Sequence, residues 1–590
     1  MRDQPRGGRL ATFALDRGGL LALAALLLYA VLAPAHVVDG DNAEFSTLAV
    51  TGGAAHPSGY PLYVLYLRAL AWLPAHGPAH AAALATALIA AAALLVTHAA
   101  CRAWGARSLA ATIATALFAA APAFMRIGMR AEVFALNSLV VAAVLWLSAQ
   151  GGPLRGRWRA LALGLVAGLG MSNHLTCTLL APVGLLGLVR STREDRASVA
   201  LALVGLVVGL LPYAYLLEAP DTALSWGTAR TLDDLVGFVT RRDYGGAGAF
   251  AATGAPVPVG AQLTALAAML GRSWLWAPLA LGLVTLGARS IRPSRTPTDE
   301  TRWAWAALAL SWVVAGPVLV TRFNIEPVGI GLYVCERFYV LPAQLLAIPA
   351  AVGMSALTRR LTFARVSERA ACALVATLGL GAMAGSALPR LARVHTATVE
   401  QYARNVLHSM PPNAVVFAAQ DYEYASLLYL QAALGERPDV TVVAWDFTSK
   451  PWYVERLRRR GVRVPPGASA VAVVADLLAR GRPVFVERTR DPVTIAVAAV
   501  LPTYLHGTSL RVLPRGTALP SVEAIVLENQ RVFEGYDIGT ARPGREDEYA
   551  TEIHRRYALT WELLARTLTR AGRTAAAEQA ATLARALGPR

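Results

Sequence analysis

Lysine is all but missing from this chain: Lys450 is the only one among 55 basic residues, and the rest are arginine. Charge in general is scarce, at 16% of 590 residues, where a soluble globular chain carries about a quarter. Cysteine is scarce too. Cys101, Cys177, Cys335 and Cys372 are scattered through apolar segments with no Cys-x-x-Cys pair. Neither a zinc site nor a disulfide framework follows, and they read as small core residues. What is abundant is hydrophobic residues, 55% of the chain gathered in blocks, with a mean hydropathy of +0.45. That balance excludes a disordered chain, a collagen-like chain and an ordinary cytosolic enzyme. The chain reads as an integral membrane protein. Its formal charge of +17 does not point to nucleic acid. In the first two thirds the arginines fill short gaps between apolar blocks, which is the pattern of membrane topology.

A bilayer core of roughly 30 Å takes about 20 apolar residues per helix. Windows of that size predict about eleven spans, near 18–36, 80–100, 107–123, 133–149, 159–173, 175–190, 198–217, 273–288, 303–320, 338–357 and 370–389. The first is long for a cleaved signal peptide and is read as an anchor. The block 57–75 is amphipathic and interrupted by Pro61 and Pro74, so it is expected to lie at the interface. Arginine then marks alternate gaps: Arg2, Arg6 and Arg9; Arg102 and Arg107; Arg155, Arg157 and Arg159; Arg190, Arg193 and Arg196; Arg289, Arg292 and Arg295; Arg359, Arg360, Arg365 and Arg369. The positive-inside rule puts those gaps and the N-terminus in the cytoplasm. An odd number of spans leaves everything after residue 390 outside the cell (inner) membrane, in the periplasm or beyond.

Three domains are expected: a transmembrane domain over 1–390, an extracytoplasmic α/β domain over 391–545 and a helical hairpin over 546–590. In the α/β domain, apolar runs at 414–418, 440–445 and 484–487 read as strands, alternating with helical patterns at 422–434, 452–460 and 471–479. The last segment, with a turn at Ala571-Gly572-Arg573, resembles one tetratricopeptide unit through Trp561, Leu564 and Ala576. A plain helical hairpin is the equal alternative. Either way a single unit cannot bury its own face and must pack on something else.

Chemistry gathers in the first outer gap, Asp39-Gly40-Asp41-Asn42-Ala43-Glu44-Phe45, followed by His56-Pro57-Ser58-Gly59-Tyr60-Pro61-Leu62-Tyr63. Three carboxylates beside a membrane can supply a general base toward a hydroxyl and can hold a divalent cation beside a phosphate. A solvated acidic loop is the plainer alternative, since short acidic clusters are weak signals. The second stretch is stiffened by two prolines and anchored by aromatics, which makes it a good scaffold for a catalytic carboxylate.

These residues resemble the membrane glycosyltransferases of the GT-C class, in a bacterial branch related to the transmembrane protein O-mannosyltransferases. That branch carries Gly-Asp-Ser-Gly-Glu and then His-Pro-Pro-Gly-Tyr-Pro-Leu-Tyr. Gly40, Asp41 and Glu44 match the first motif; His56, Pro57, Gly59, Tyr60, Pro61, Leu62 and Tyr63 match the second, with Ser58 in place of a proline. Further likeness falls at Arg130-Ala131-Glu132-Val133-Phe134-Ala135-Leu136-Asn137, Ser172-Asn173-His174, Arg241-Arg242-Asp243-Tyr244-Gly245 and Glu336-Arg337-Phe338-Tyr339. In the tail it falls at Tyr429-Leu430-Gln431 and Arg437-Pro438-Asp439-Val440. All but the tail motifs lie in or beside gaps assigned to the outer side.

The resemblance implies a GT-C-like polytopic fold and a transferase on the outer face. Its donor would be a sugar, mannose by analogy, on a polyprenyl phosphate, and its acceptor a hydroxyl on a protein, lipid or glycan. Asp41 would be the base for an inverting displacement, supported by Glu44. Asp39 is a weaker candidate. Arg130, Arg337 and Arg242 would hold the phosphate through bidentate guanidinium contacts. Glu132 would orient Arg130, and His56, Tyr60 and His174 would line the substrate. Magnesium or manganese on Asp41 and Glu44 is the candidate cofactor. The competing expectation is a transporter or flippase of lipid-linked sugars. Such proteins place ionisable groups at mid-membrane depth, and the expected spans carry their charges at the ends. The segment Gln420-Asp421-Tyr422-Glu423-Tyr424 follows a strand end, where α/β domains bind ligands, but is expected to be a surface loop.

Overall fold

The computed structural model describes residues 16–244, 257–291, 301–363, 368–487, 491–539 and 549–590. Arg2, Arg6, Arg9, Gly245, Arg292, Arg295 and Arg365 lie outside the described residues, as do the side chains of Arg360, Arg369 and Cys372. The chain forms two compact units. The first comprises Met1–Ala35, Ala54–Ala219 and Ala229–Ala392; the second comprises His36–Gly53, Pro220–Thr228 and Arg393–Arg590. The acidic gap and a later outer segment thus cluster with the C-terminal third of the chain.

The first unit is helical, and each apolar block predicted as a span carries helix. Pro78–Ala103, Leu175–Glu194 and Ser198–Glu218 are long and apolar enough to cross a membrane. Three bent pairs pass the same test: Ser108–Ala120 with Pro122–Gly128 at 72°, Val259–Trp274 with Trp276–Ile291 at 107°, and Gly329–Leu345 with Ala347–Arg359 at 40°. By length and composition alone, up to six crossings qualify among the described residues. The segment expected at 273–288 is corrected to Trp276–Ile291, preceded by a helix at Val259–Trp274 that the apolar windows passed over because Gln262, Arg272 and Ser273 dilute it. In the block 57–75 helix is confined to Pro61–Ala69, and Pro61 opens it rather than breaking it.

Helix Ser198–Leu210 shows how this unit is held. Its outer face, Val199, Leu203, Val204, Val207 and Val208, is exposed and wholly apolar, as hydrocarbon would allow. Its inner face meets helix Gly156–Met171 through glycines. A Cβ on Gly205 would stand 2.3 Å from the Leu161 carbonyl oxygen, and one on Gly209 would stand 2.4 Å from that of Leu165. Gly164 and Gly168 return the same close approach from the other helix. Lipid tails offer no hydrophobic drive between spans, so backbone proximity of this small-xxx-small kind supplies it. Some of the arginine gaps also meet one another. Arg159 pairs with Glu194 at 3.4 Å, and the Arg107 amide donates to Ser355 Oγ at 2.9 Å. Cys101, Cys177 and Cys335 are buried and not disulfide-bonded.

In the second unit a five-stranded sheet runs in the order β2-β1-β3-β5-β4, with β1 Val415–Ala418, β2 Thr441–Ala444, β3 Val484–Glu487, β4 Thr503–His506 and β5 Ser509–Val512. β1 pairs in parallel with β2 and β3, while β4 and β5 form an antiparallel hairpin added beside β3. The three expected strands and the helices Asp421–Leu434, Pro451–Arg459 and Ala470–Ala479 are present. The β4–β5 hairpin, turning on Gly507 at φ 57°, was not anticipated. Helix Asn42–Thr51, from the acidic gap, packs on helix Asp421–Leu434. The C-terminal hairpin, Tyr549–Arg570 and Thr574–Leu587, buries Trp561, Leu564, Leu568, Ala577 and Ala580, with Val522, Ile525 and Phe533 of helix Val522–Glu534 packed against them. That is the outside packing partner a single helical pair requires.

Candidate functional site

In the second unit, the acidic gap turns through Gly40, at φ 69°, into helix Asn42–Thr51. Asn42 Oδ1 accepts from the Val38 amide at 3.0 Å, and Glu400 Oε2 accepts from the Val37 amide at 2.8 Å, so the backbone ahead of the carboxylates is fixed from two directions. Asp39 and Glu44 are buried, and Asp41 is half-buried at the helix start. A carboxylate there gains from the helix dipole. The helix ends at Gly52 and Gly53, with φ of 70° and 119°. A Cβ on Gly53 would come within 2.8 Å of Thr222 Oγ1, so glycine is required on both conformational and steric grounds. Among the described residues no three His, Cys, Asp or Glu side chains converge as ligands for a metal. Asp41 and Glu44 offer a pair, which suits magnesium only when water and substrate phosphate complete the shell.

The second motif lies in the first unit. The Gly59 amide closes a turn on the His56 carbonyl at 2.8 Å, Tyr60 takes a left-handed conformation, and Pro61 starts the helix. His56 packs edge-on to Tyr60 at 4.9 Å, and Tyr60 stacks on His174 at 5.8 Å. Phe134 and Phe338 complete an aromatic group around His174. His174 caps the turn that follows it, its Nδ1 meeting Thr176 Oγ1 at 2.8 Å. Tyr63 is fully buried, and its hydroxyl accepts from the Glu132 amide at 2.7 Å while sharing a hydrogen bond with Thr86. The motif's last tyrosine therefore fixes the backbone that carries Glu132.

Around Glu132 the first unit collects guanidinium groups. Glu132 lies 3.8 Å from Arg130 and 3.7 Å from Arg337. Arg130 donates to the Tyr333 hydroxyl, and Arg126 donates to the Tyr333 carbonyl at 2.9 Å while lying over its ring. Glu336 then holds Arg126 at 3.3 Å, Arg272 at 3.1 Å and Arg390 at 2.7 Å. Five arginines share two glutamates, and Arg126, Arg130 and both glutamates are at most 3% exposed. Guanidinium forks gathered in this way suit phosphate oxygens. Sequence reasoning found Arg130, Arg337 and Glu132 but missed Arg126, Arg272, Arg390 and Tyr333, and treated Glu336 only as part of a motif.

Other expected residues fall elsewhere. Arg242 is exposed and pairs with Asp233 at 2.8 Å on a short helical segment, outside the arginine group. Both tail motifs are scaffold. Gln431 donates to the Arg437 and Val440 carbonyls, and Arg437 donates to Asp439 and to the Leu407 and Met410 carbonyls. The Arg437 side chain holds the Asp439 carboxyl well below the usual carboxylate range. The segment from Gln420 to Tyr424 is not a surface loop. It begins helix Asp421–Leu434, with Tyr422, Glu423 and Tyr424 buried, because residues much later in the chain cover it.

A family model described as the protein O-mannosyl-transferase TMEM260 N-terminal domain matches residues 41–197, and one described as TMEM260-associated domain 2 matches 399–471. Protein O-mannosyl-transferase TMEM260 of Mus musculus is 26% identical over 476 residues, covering 76% of this chain and 66% of its own length. Its Dictyostelium discoideum counterpart is 20% identical, covering 74% and 58%. The chain therefore spans just under two thirds of the mouse relative and less of the other. Among solved structures, ArnT from Cupriavidus metallidurans bound to undecaprenyl phosphate superposes with a TM-score of 0.53, covering 85% of this chain and 99% of that one at 15% identity. The same protein in the apo state gives 0.54, over 87% and 100%, also at 15% identity. At that identity the likeness is one of fold. The first outer motif, the arginine-bearing motif and the helical architecture agree: this is a GT-C-type membrane protein related to the TMEM260 O-mannosyltransferases.

Proposed function

We propose that the protein is a glycosyltransferase that moves a sugar from a polyprenyl phosphate to a hydroxyl acceptor at the outer face of the membrane. The observation that carries this reading is the gathering of five arginines, Arg126 and Arg130 buried among them, around Glu132 and Glu336. The named activity of the curated relatives and the undecaprenyl phosphate held by ArnT support it. Mannose and a protein acceptor follow the relatives' names. The reading keeps eleven crossings, a cytoplasmic N-terminus and an extracytoplasmic second unit, in line with the arginine gaps. It leaves the C-terminal pair's likeness to a tetratricopeptide unit as a likeness of two helices and a turn.

Chemically, Arg130 and Arg337 hold the donor phosphate, and the remaining arginines of the group keep that surrounding positive as the leaving group gains charge. Asp41 takes the proton from the acceptor hydroxyl as its oxygen attacks the anomeric carbon. The carbon–oxygen bond to the phosphate breaks, polyprenyl phosphate departs as the anion, and the configuration inverts. Glu44 supports Asp41. A divalent cation on that pair would add Lewis-acid stabilisation of the phosphate.

The test is transfer in proteoliposomes with a panel of polyprenyl-phosphate sugars, for wild type, Asp41→Asn and Arg130→Gln, each with and without EDTA. Asp41→Asn is expected to lower kcat by roughly 10²–10⁴-fold, as loss of a general base does. Full activity in Asp41→Asn would remove Asp41 from the chemistry. No release by any protein, across donors and acceptors, would move the assignment toward a flippase.

A further inference from the structure

The carboxyl end of the second unit's sheet is the place where a fold of this kind takes a ligand. The connection leaving β1 runs to β2 on one side and the connection leaving β3 runs to the β4–β5 hairpin on the other, so a crevice opens between the ends of β1 and β3. Glu487, the last residue of β3, reaches across it and accepts from the Ala419 amide just beyond β1, at 2.6 Å. Glu423, in the first turn of the helix after β1, faces the same space, and both carboxyls are at most 2% exposed. The crevice is filled by Arg556 of helix Tyr549–Arg570, 135 residues on from Asp421.

Arg556 is bound there as a ligand would be. Its Nη1 donates to Glu487, lies 3.5 Å from Glu423 and donates to the Tyr402 hydroxyl at 3.2 Å, which in turn donates to Glu423 at 3.3 Å. Its guanidinium carbon sits 5.8 Å from the Tyr402 ring and 5.6 Å from the Tyr422 ring. Two carboxyls and two aromatic faces make a cage for a planar cation. Glu552 on Arg556's own helix also lies against it, at 3.5 Å.

We propose that this crevice is a guanidinium-binding site, occupied by the chain's own Arg556, and that docking of the C-terminal hairpin into it takes up one proton. The proton follows from the count of charges in the cage: two buried carboxyls face one guanidinium, and an unpaired buried carboxylate is not tolerated. Burial and then the neighbouring Glu487 push the Glu423 carboxyl well up from its ordinary value, so it is the group that keeps the proton. Burial alone would lower the Arg556 guanidinium, but its net direction is upward with the Glu487 carboxylate against it, and Arg556 stays charged. Burial also pushes the hydroxyls of Tyr402 and Tyr422 up, so neither supplies a negative charge.

The sign is fixed by that proton. A carboxyl that binds its proton more tightly when docked favours docking below its raised pKa, and the advantage is lost as pH climbs through it. Hydrogen–deuterium exchange on the full chain in detergent micelles reads this directly, as protection factors across Tyr549–Leu587. Wild-type protection is expected to fall by up to about tenfold per pH unit above the ordinary carboxylate range. Glu423→Gln is expected to keep protection within about twofold at pH 6, because its amide replaces a protonated acid, and to abolish the pH dependence. Arg556→Gly is expected to lose protection by on the order of a hundredfold, and methylguanidinium is expected to restore part of it by filling the vacated cage. A pH-independent wild type, or a Glu423→Gln chain as unprotected as Arg556→Gly, would overturn the proton. Failure of methylguanidinium to protect a folded Arg556→Gly chain would overturn the binding site. Should Arg556→Gly not fold, the wild type and Glu423→Gln decide the proton between them, and Arg556→Lys decides the cage: an ammonium lacks the fork, so full protection in Arg556→Lys would overturn it.

Discussion

The two units solve opposite charge problems with the same residue. In the first, five arginines, two of them buried, share two buried glutamates; in the second, two buried glutamates share one arginine. On the proposed function, the first arrangement is completed by an anion brought from outside. The second has negative charge to spare and is completed by a proton. Ion pairs of similar burial thus lead to different conclusions, because the sum of charge over the whole group decides what the group still needs, and no single pair does.

The largest break in that comparison is Glu487→Gln. It strips Arg556 of its closest counter-charge and leaves Glu423 to ionise in its place, so the second unit is expected to lose about 1–3 kcal/mol of stability, read by urea unfolding. Next comes Arg130→Gln. It removes one fork from a group built to receive an anion, so KM for the polyprenyl-phosphate donor is expected to rise roughly 10–100-fold while the melting temperature holds. Inorganic phosphate sharpens the contrast. It is expected to raise the melting temperature of the wild type and to lose that effect in Arg337→Gln, with no change at the Arg556 cage. Smallest is Glu423→Gln, expected to cost under about 1 kcal/mol at pH 6 because the acid it replaces is already protonated. As pH rises toward 8 the wild type loses stability and this variant does not, so their curves converge and then cross.

How far the sequence could be read depended on whether a signal was local. The strands at Val415–Ala418, Thr441–Ala444 and Val484–Glu487 are apolar runs between turn residues and were visible as such. The hairpin Thr503–His506 and Ser509–Val512 is four residues a side, too short for its alternation to stand out, although Gly507 between its arms was a usable cue. Helix Val259–Trp274 was hidden by Gln262, whose amide is buried against the Phe323 carbonyl, and by Arg272, which pairs with Glu336. Arg130 and Arg337 were found because they sit in recognisable motifs. Arg126, Arg272 and Arg390 each stand alone in apolar sequence, and only packing brings them to Glu336. Glu423 was visible as a strand-end carboxylate, but its burial depends on Arg556, which no local pattern connects to it.

The chain passes between its two units five times. Helix Asn42–Thr51 rests on helix Asp421–Leu434, which begins roughly 370 residues after it ends. At synthesis rates of about 5–20 residues per second, that helix waits roughly 20–70 seconds for its partner. During that interval the acidic loop has left the ribosome without the helix it packs on. A chain truncated before residue 421 would leave the loop without its seat permanently, however well its membrane helices assembled.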